Sequence, residues 1–174
     1  THDSLPMKGP GRSSGGNFVL SSFVFETDGV PHKFKKAVAD HSQKDYPVND
    51  VITSDPAKGW GISGGVGRDH EAVFHLDKPH PVREGQAFVF TLRHNQKHVG
   101  YSLGRFRIAV TFASDRFLAL PLDAQKVVLL EPAKRTAKEM EAARQALLKA
   151  PPPSERVVKL QKEIKALENA IEST

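Results

Sequence analysis

The sequence predicts a mainly β protein, an antiparallel β-sandwich followed by an α-helical hairpin. Short segments up to residue 113 alternate apolar and polar side chains, as strands with one buried face do. Turn-forming residues separate these segments, which favours a sandwich or barrel. From about residue 121 the chain is instead rich in helix formers. We therefore predict an irregular lead-in over residues 1–16, a β-domain over 17–120 and a helical hairpin over 121–174.

The composition excludes several classes of function. The chain has 174 residues, of which 39% are hydrophobic and 26% charged, enough for one packed domain with an appendage. It has no cysteine, which rules out disulfides, thiol catalysis and cysteine-ligated metals within it. No apolar run reaches the roughly 18 residues of a membrane span, so we expect no membrane partner. The polar start lacks an initiator Met, which suggests a piece of a larger protein.

Residues 53–76 organise the predicted β-domain. A turn is followed by Trp60, then by a glycine-rich loop at 64–67 and an alternating strand at 71–76. A lone tryptophan between a turn and a strand is typical of a core anchor, and the alternative is a platform for ligand stacking. A polar loop beside such an anchor is a common place for binding residues.

Four further segments are predicted to be strands, at residues 17–26, 33–39, 86–93 and 104–112, with one helical turn near 47–51. A bulge at Ser21-Ser22 would bring the apolar residues of the first segment onto one face. The last segment has the clearest alternation. Its predicted buried face consists of Phe106, Ile108, Val110 and Phe112.

The two ends of the chain differ in character. GPGRSSGG in the lead-in lacks the Lys-Ser/Thr ending of a phosphate-binding loop, so we interpret it as a linker. Near the other end, residues 133–150 predict a helix that ends at Pro151. Residues 154–172 predict a second helix with a heptad seam, favouring a hairpin that packs or acts as a spacer.

Four blocks of sequence carry a resemblance to a known family. LPMKGPGRSSGGNFVLSSFVF, KGWGI, GRDHEAVFHL and LGRFRIAVTF, in this order over about residues 5–113, resemble a domain of large planctomycete-type cytochrome c proteins. Those are exported proteins that also carry a cytochrome-like domain and planctomycete-specific domains. The resemblance implies a periplasmic or extracellular location and neighbouring domains of the parent chain as partners.

The same blocks resemble, more distantly, the discoidin or galactose-binding jelly roll. In that family a loop with Asp and Trp precedes the binding face, and Asp55 and Trp60 match it here. The resemblance implies a possible calcium ion with Asp55 as a ligand, although Thr53-Ser54 and Lys58 depart from the pattern and should weaken such a site. The alternative for Asp55 is an Asx-turn residue ahead of Pro56.

Sugar binding needs exposed flat side chains and a few fixed polar groups. The candidate residues are Arg68, Asp69, His70, His94, Asn95, Tyr101, Arg105 and Arg107. The alternative for the last two arginines is a solvated strand face or a salt bridge. His94 and His98 have zinc-like spacing but no evident third ligand.

The predicted function is a non-catalytic carbohydrate-binding module. It would direct a larger exported protein to a polysaccharide, and the net charge of +5 favours a sulfated or uronic one. No nucleophile elbow is present, so we do not predict an enzyme, and no nucleic-acid-binding motif accompanies the charge. The alternative is a structural module that positions neighbouring domains and binds no glycan.

Overall fold

The computed structural model describes residues 1–53, 55, 57–95, 99–113, 115–118, 120–149 and 163. The chain separates into two units, Thr1–Val110 and Thr111–Thr174. All strands among the described residues lie in the first unit and all described α-helices lie in the second. The predicted combination of antiparallel strands and C-terminal helices is therefore present. The lead-in belongs to the first unit, and the unit boundary falls before residue 120.

Seven short strands form three small antiparallel sheets in the described part of the first unit. One pairs β1 with β5, one has the order β3-β2-β7, and one pairs β4 with β6. The strands are β1 Val19–Leu20, β2 Ser22–Thr27, β3 Val30–His32, β4 Phe34–Ala39, β5 Trp60–Gly61, β6 Ala72–Leu76 and β7 Phe88–Arg93. The strands predicted at 33–39, 71–76 and 86–93 are thus confirmed.

The predicted first strand is divided at Ser21. The residues before it pair with β5, whereas those after it pair with β3 and β7, so the chain changes sheets where a bulge was predicted. The Ser21 N–H donates to the Arg93 carbonyl, and its Oγ accepts the Asn95 N–H at 3.0 Å. The break puts both Phe18 and Phe25 in the interior.

Trp60 lies in the core. Its ring meets that of Phe18 edge-to-face, with 5.0 Å between centroids, and its Nε1 donates to the His41 carbonyl at 2.8 Å. Val48 and Val51, on the predicted helical turn, which is a 3-10 helix at Val48–Ile52, are buried in the same cluster. Trp60 is thus an anchor of the core and offers no face for stacking.

Aromatic rings connect two of the sheets. Phe23 of β2 lies 4.5 Å from Phe74 of β6 and 5.6 Å from Phe34 of β4, centroid to centroid. Phe90 of β7 stacks on the same Phe23 ring at 5.8 Å. The three-stranded sheet and the β4–β6 pair therefore share an aromatic layer.

The prediction of a strand with a buried face at 104–112 is wrong. Phe106 is 57% exposed, Ile108 38%, Val110 51% and Phe112 77%, and the segment forms no strand. Alternation indicates which side chains share a face, but a strand also needs a neighbouring edge. Among the described residues, pairing stops at the bridge between Leu103 and Gly11, next to this segment.

The lead-in is irregular, as predicted, but it is not a free linker. The Arg12 N–H donates to the Ser102 carbonyl, and the Gly11 N–H donates to the Gly16 carbonyl, both at 2.9 Å. A Cβ atom on Gly11 would lie 2.0 Å from the Asn17 carbonyl oxygen. Only glycine fits at such a close approach of two backbones.

The second unit contains α1 Asp115–Leu118, α2 Leu122–Leu129 and α3 Ala137–Lys149. Leu120, Ala124 and Ala143 form its small buried cluster. The helix predicted at 133–150 is confirmed in the part that α3 covers, whereas the helix predicted at 154–172, and with it the hairpin, lies outside the described residues. Of the helices in the described ranges, none combines the length and the hydropathy needed to cross a bilayer.

Candidate functional site

The glycine-rich loop at residues 63–70 is shaped by backbone conformations that favour glycine. Gly64 and Gly67 have φ angles of 84° and 85°, in the left-handed region. The Gly65 N–H donates to the Ile62 carbonyl at 2.8 Å, and the Gly67 N–H donates to the Gly9 carbonyl at 3.0 Å. The loop is therefore fixed to the core on one side and to the lead-in on the other.

His70 braces this loop from the inside. Its Nδ1 lies 3.0 Å from Asp40 Oδ2 and its Nε2 lies 2.6 Å from the Gly65 carbonyl oxygen. A carboxylate and a carbonyl are both acceptors, so only a ring protonated on both nitrogens donates to both. The side chain is 1% exposed, which leaves no face for a sugar. The candidate role of His70 in stacking is thus corrected to a structural one.

Gly65 and Asp40 complete the support of the loop. A Cβ atom on Gly65 would lie 2.8 Å from the His70 ring and 2.7 Å from that of His41, so a side chain there would displace the imidazoles. The second carboxylate oxygen of Asp40 accepts the Glu71 N–H at 2.9 Å. Asp40 thereby ties the end of β4 to the start of β6.

Arg68 and Asp69 project outward from the braced loop, and both are exposed. Asp69 accepts hydrogen bonds from the Thr1 amino group and, at 2.8 Å, from the Thr1 hydroxyl. Hydrogen bonding from the amino group, then from the hydroxyl, holds the pKa of Asp69 below its usual value, and the positive charge of Arg105 adds a smaller effect. Arg105 is therefore near this loop despite its distance in sequence.

A shallow cleft of about 250 Å³ joins the loop to the lead-in. Its lining is mainly polar and consists of Thr1, His2, Asp3, Lys8, Gly67 and Arg105. Lys8 Nζ lies 3.6 Å from Asp3 Oδ1, with both side chains largely exposed. Solvent screens such a pair strongly, so the ammonium remains available to a ligand. The structure thus brings Arg105 into this cleft beside Lys8, which was not among the predicted residues. Asp69 bonds to Thr1 of the lining, whereas Arg68 follows Gly67 in sequence and does not line the cleft.

The remaining predicted residues lie elsewhere on the first unit. His94 is half-buried and its Nδ1–H donates to the Val19 carbonyl at 2.8 Å, while the carbonyl of half-buried Tyr101 accepts the Val19 N–H at 2.9 Å. The Asn95 side chain is exposed beside them. These three residues lie close to β1, and none of them lines the cleft. Arg107 is exposed and does not line the cleft.

The metal predictions find little support in the described geometry. Asp55 is exposed and its Oδ1 accepts the Ala57 N–H at 2.9 Å, the geometry of an Asx turn. No group of three His, Cys, Asp or Glu side chains fit for a metal occurs among the described residues. Among the described residues, this geometry supports the Asx-turn alternative for Asp55. His98, the partner of His94 in the zinc-like spacing, lies outside the described residues.

No protein family, curated protein or solved structure matches this chain.

Proposed function

We propose that the first unit is a non-catalytic carbohydrate-binding module for anionic polysaccharides. The observation that carries the proposal is the meeting of Arg105 and Lys8 in a polar, shallow cleft at the braced loop, where exposed Arg68 follows the lining residue Gly67. Guanidinium groups bind carboxylate and sulfate in a bidentate way, and an ammonium adds a point charge. A uronic or sulfated sugar offers such groups at regular spacing along a chain.

We extend this proposal to the fold of the first unit and to the larger protein that contains it. We propose a galactose-binding-like sandwich, supported by the aromatic layer that Phe23, Phe34, Phe74 and Phe90 form between two sheets. The resemblance of the four sequence blocks supports a domain of a planctomycete-type cytochrome c protein. On that proposal the module acts outside the cytoplasm, its neighbours are other domains of the parent, and it contributes binding without catalysis.

A single sugar in this cleft is expected to bind weakly. A dissociation constant of about 1 mM corresponds to a binding free energy of about 4 kcal/mol. This affinity suits an open site with a few charged contacts. Useful retention on a polymer then requires several contacts along one chain or several modules. Because the contacts are exposed charges, binding should weaken as salt rises.

Affinity electrophoresis tests this proposal. The chain is run in gels that contain a neutral, a uronic or a sulfated polysaccharide, at low and high salt. We expect retardation by an anionic polymer at low salt that is lost in Lys8→Ala and Arg105→Ala, the two cations that line the cleft. Arg107→Ala is the matched control, because it removes the same charge from an exposed position off the cleft. An equal loss of retardation in all three variants, or no retardation of the unsubstituted chain, would overturn the proposal.

A second candidate function is a structural module that binds protein and no glycan. The exposed apolar side chains of Phe106, Ile108 and Val110 favour it, since a soluble surface rarely presents such a row together. No retardation of the unsubstituted chain by any polysaccharide at low salt would favour this candidate.

A further inference from the structure

Two imidazole rings meet beside the β2–β3 hairpin. The Nε2 atom of His32 lies 2.6 Å from the Thr27 hydroxyl oxygen, and the Nε2 atom of His80 lies 3.3 Å from the same oxygen. The two ring centroids are 4.3 Å apart. Both rings are half-buried, and none of these residues lines the cleft. Two ring nitrogens from separate parts of the chain thus converge on one point that solvent can reach.

The fold positions both rings. Alternation along β2 puts Thr27 on the same face as Phe25, and the strand register sets His32 of β3 opposite Phe25. The His32 ring packs on the Phe25 ring with 5.0 Å between centroids. His80 lies between two prolines, which restrict the backbone on both sides of it. The convergence therefore depends on a strand register and on a stiff loop.

Oxygen atoms and a negative charge lie next to the two nitrogens. Gln86 Nε2 donates to Asp28 Oδ2 at 3.0 Å, which directs the other end of the amide toward His80. Gln86 Oε1 lies 3.3 Å from His80 Nε2. Imidazole nitrogen is a preferred ligand of Zn²⁺, and oxygen ligands or water can complete its four positions. The cluster thus has two imidazoles and neutral oxygens rather than three ionisable ligands.

We propose that His32 and His80 bind a zinc ion through their Nε2 atoms, with the Gln86 carbonyl oxygen and water as the other ligands. Two nitrogens bound to one ion at about 2.0–2.1 Å each lie at most roughly 4 Å apart. Because both Nε2 atoms already lie within hydrogen-bond distance of the Thr27 hydroxyl, a small rotation of the rings suffices. Each neutral ring then carries its proton on Nδ1. The ion ties the loop at 77–87 to the hairpin.

Calorimetric titration of the full chain with Zn²⁺ is the first test. We expect His32→Ala and His80→Ala each to weaken zinc binding at least tenfold, since each removes one of the two nitrogen ligands. His2→Ala is the matched control, because it removes an exposed imidazole outside the cluster and should leave this affinity unchanged. Zinc binding that is absent, or that survives both His32→Ala and His80→Ala, would overturn the proposal.

Gln86→Glu distinguishes an ion site from a chain of hydrogen bonds. A carboxylate binds zinc better than an amide does, so the affinity for zinc should rise severalfold. Nuclear magnetic resonance of the imidazole nitrogens identifies the ligands directly. Zinc should shift the Nε2 resonances of His32 and His80 and leave those of His70, whose side chain is 1% exposed, unchanged. Shifts confined to other histidines would show that the two rings form only a hydrogen-bonded pair around Thr27.

Discussion

The segment around Trp60 and the segment at 105–112 have similarly strong apolar signals, but only the first is buried. Trp60 is 6% exposed and Ile62 is fully buried, whereas Phe106 is 57% exposed. Trp60 is surrounded by elements from four parts of the chain, including β1 and the 3-10 helix at 48–52. The segment at 105–112 follows the last backbone bond to the lead-in and meets no strand among the described residues.

This difference teaches that local alternation does not determine burial. Alternation makes one face of a segment apolar, but burial requires another element that covers this face. For Trp60 the covering ring is that of Phe18, which is distant in sequence. For 105–112 no strand among the described residues covers the apolar face.

The largest expected effect is on stability, from Phe18→Ala. Phe18 is 1% exposed and packs edge-to-face on Trp60, so the substitution leaves a cavity in the core. We expect a loss of ~3–5 kcal/mol in the free energy of unfolding of the first unit. Denaturant melts followed by Trp60 fluorescence measure it.

The control for that prediction is Phe106→Ala, the same change in the exposed segment. Because the ring is already largely in water, the loss should be under ~1 kcal/mol. A loss as large as that of Phe18→Ala would mean that this segment is part of the monomer's core.

The next largest effect is expected for His70→Ala. The substitution leaves the Asp40 carboxylate, whose side chain is 22% exposed, and the Gly65 carbonyl without a shared donor. We expect a loss of ~2–3 kcal/mol, in the range for a buried hydrogen bond to a charged group. Thermal melts measure it, with exposed His2→Ala as the control for loss of an imidazole. Equal effects of the two variants would contradict the bracing role.

A smaller effect is expected for Gly11→Ala in the lead-in. The new Cβ would meet the backbone of Asn17 rather than a flexible side chain, so the lead-in must shift. We expect a loss of ~1–3 kcal/mol, as for other overpacked sites. Gly15→Ala is the matched control, because a Cβ there has nothing within 4 Å. If both variants melt alike, the lead-in acts as a linker after all.

The smallest effect concerns the start of α3. Thr136 and Glu139 form a capping box, with Thr136 Oγ1 and N–H both donating to Glu139 Oε2 at 2.6 Å and 3.0 Å. The side-chain bond, then the backbone bond, lowers the pKa of Glu139. A lowered folded pKa gives stability above the unfolded pKa that is lost as pH falls through the folded pKa.

Circular dichroism of the helices during an acid titration measures this effect. We expect a small loss of helicity as Glu139 is protonated, and a smaller pH dependence in Thr136→Val, which removes the hydroxyl donor. Identical titrations of the two proteins would show that the capping box has no influence on α3.

Much of the fold was predictable from the sequence. The segments at 33–39, 71–76 and 86–93 show local alternation, and each forms a strand that pairs with a neighbouring strand. The division at Ser21 was signalled by the change in parity between Leu20 and Phe23. Local patterns do not show which other segment a strand pairs with. They could not show that the strand predicted at 104–112 would have no neighbour.

The candidate site was predictable only in part, for the same reason. Arg68, Asp69 and Arg105 were identified as exposed polar residues, and the structure brings Asp69 and Arg105 near each other. Lys8 was missed because its segment is rich in glycine and proline and was therefore interpreted as a linker. The density of glycine in GPGRSSGG was the available signal, since close backbone contacts such as that of Gly11 require it. Nothing local indicated that Asp40 pairs with His70.

Hydrogen exchange of backbone amides, followed by mass spectrometry, tests the contrast between the two regions most directly. We expect amides of β2 and β7 to exchange slowly and those of residues 105–112 to exchange rapidly. Slow exchange of 105–112, equal to that of β2, would contradict the account.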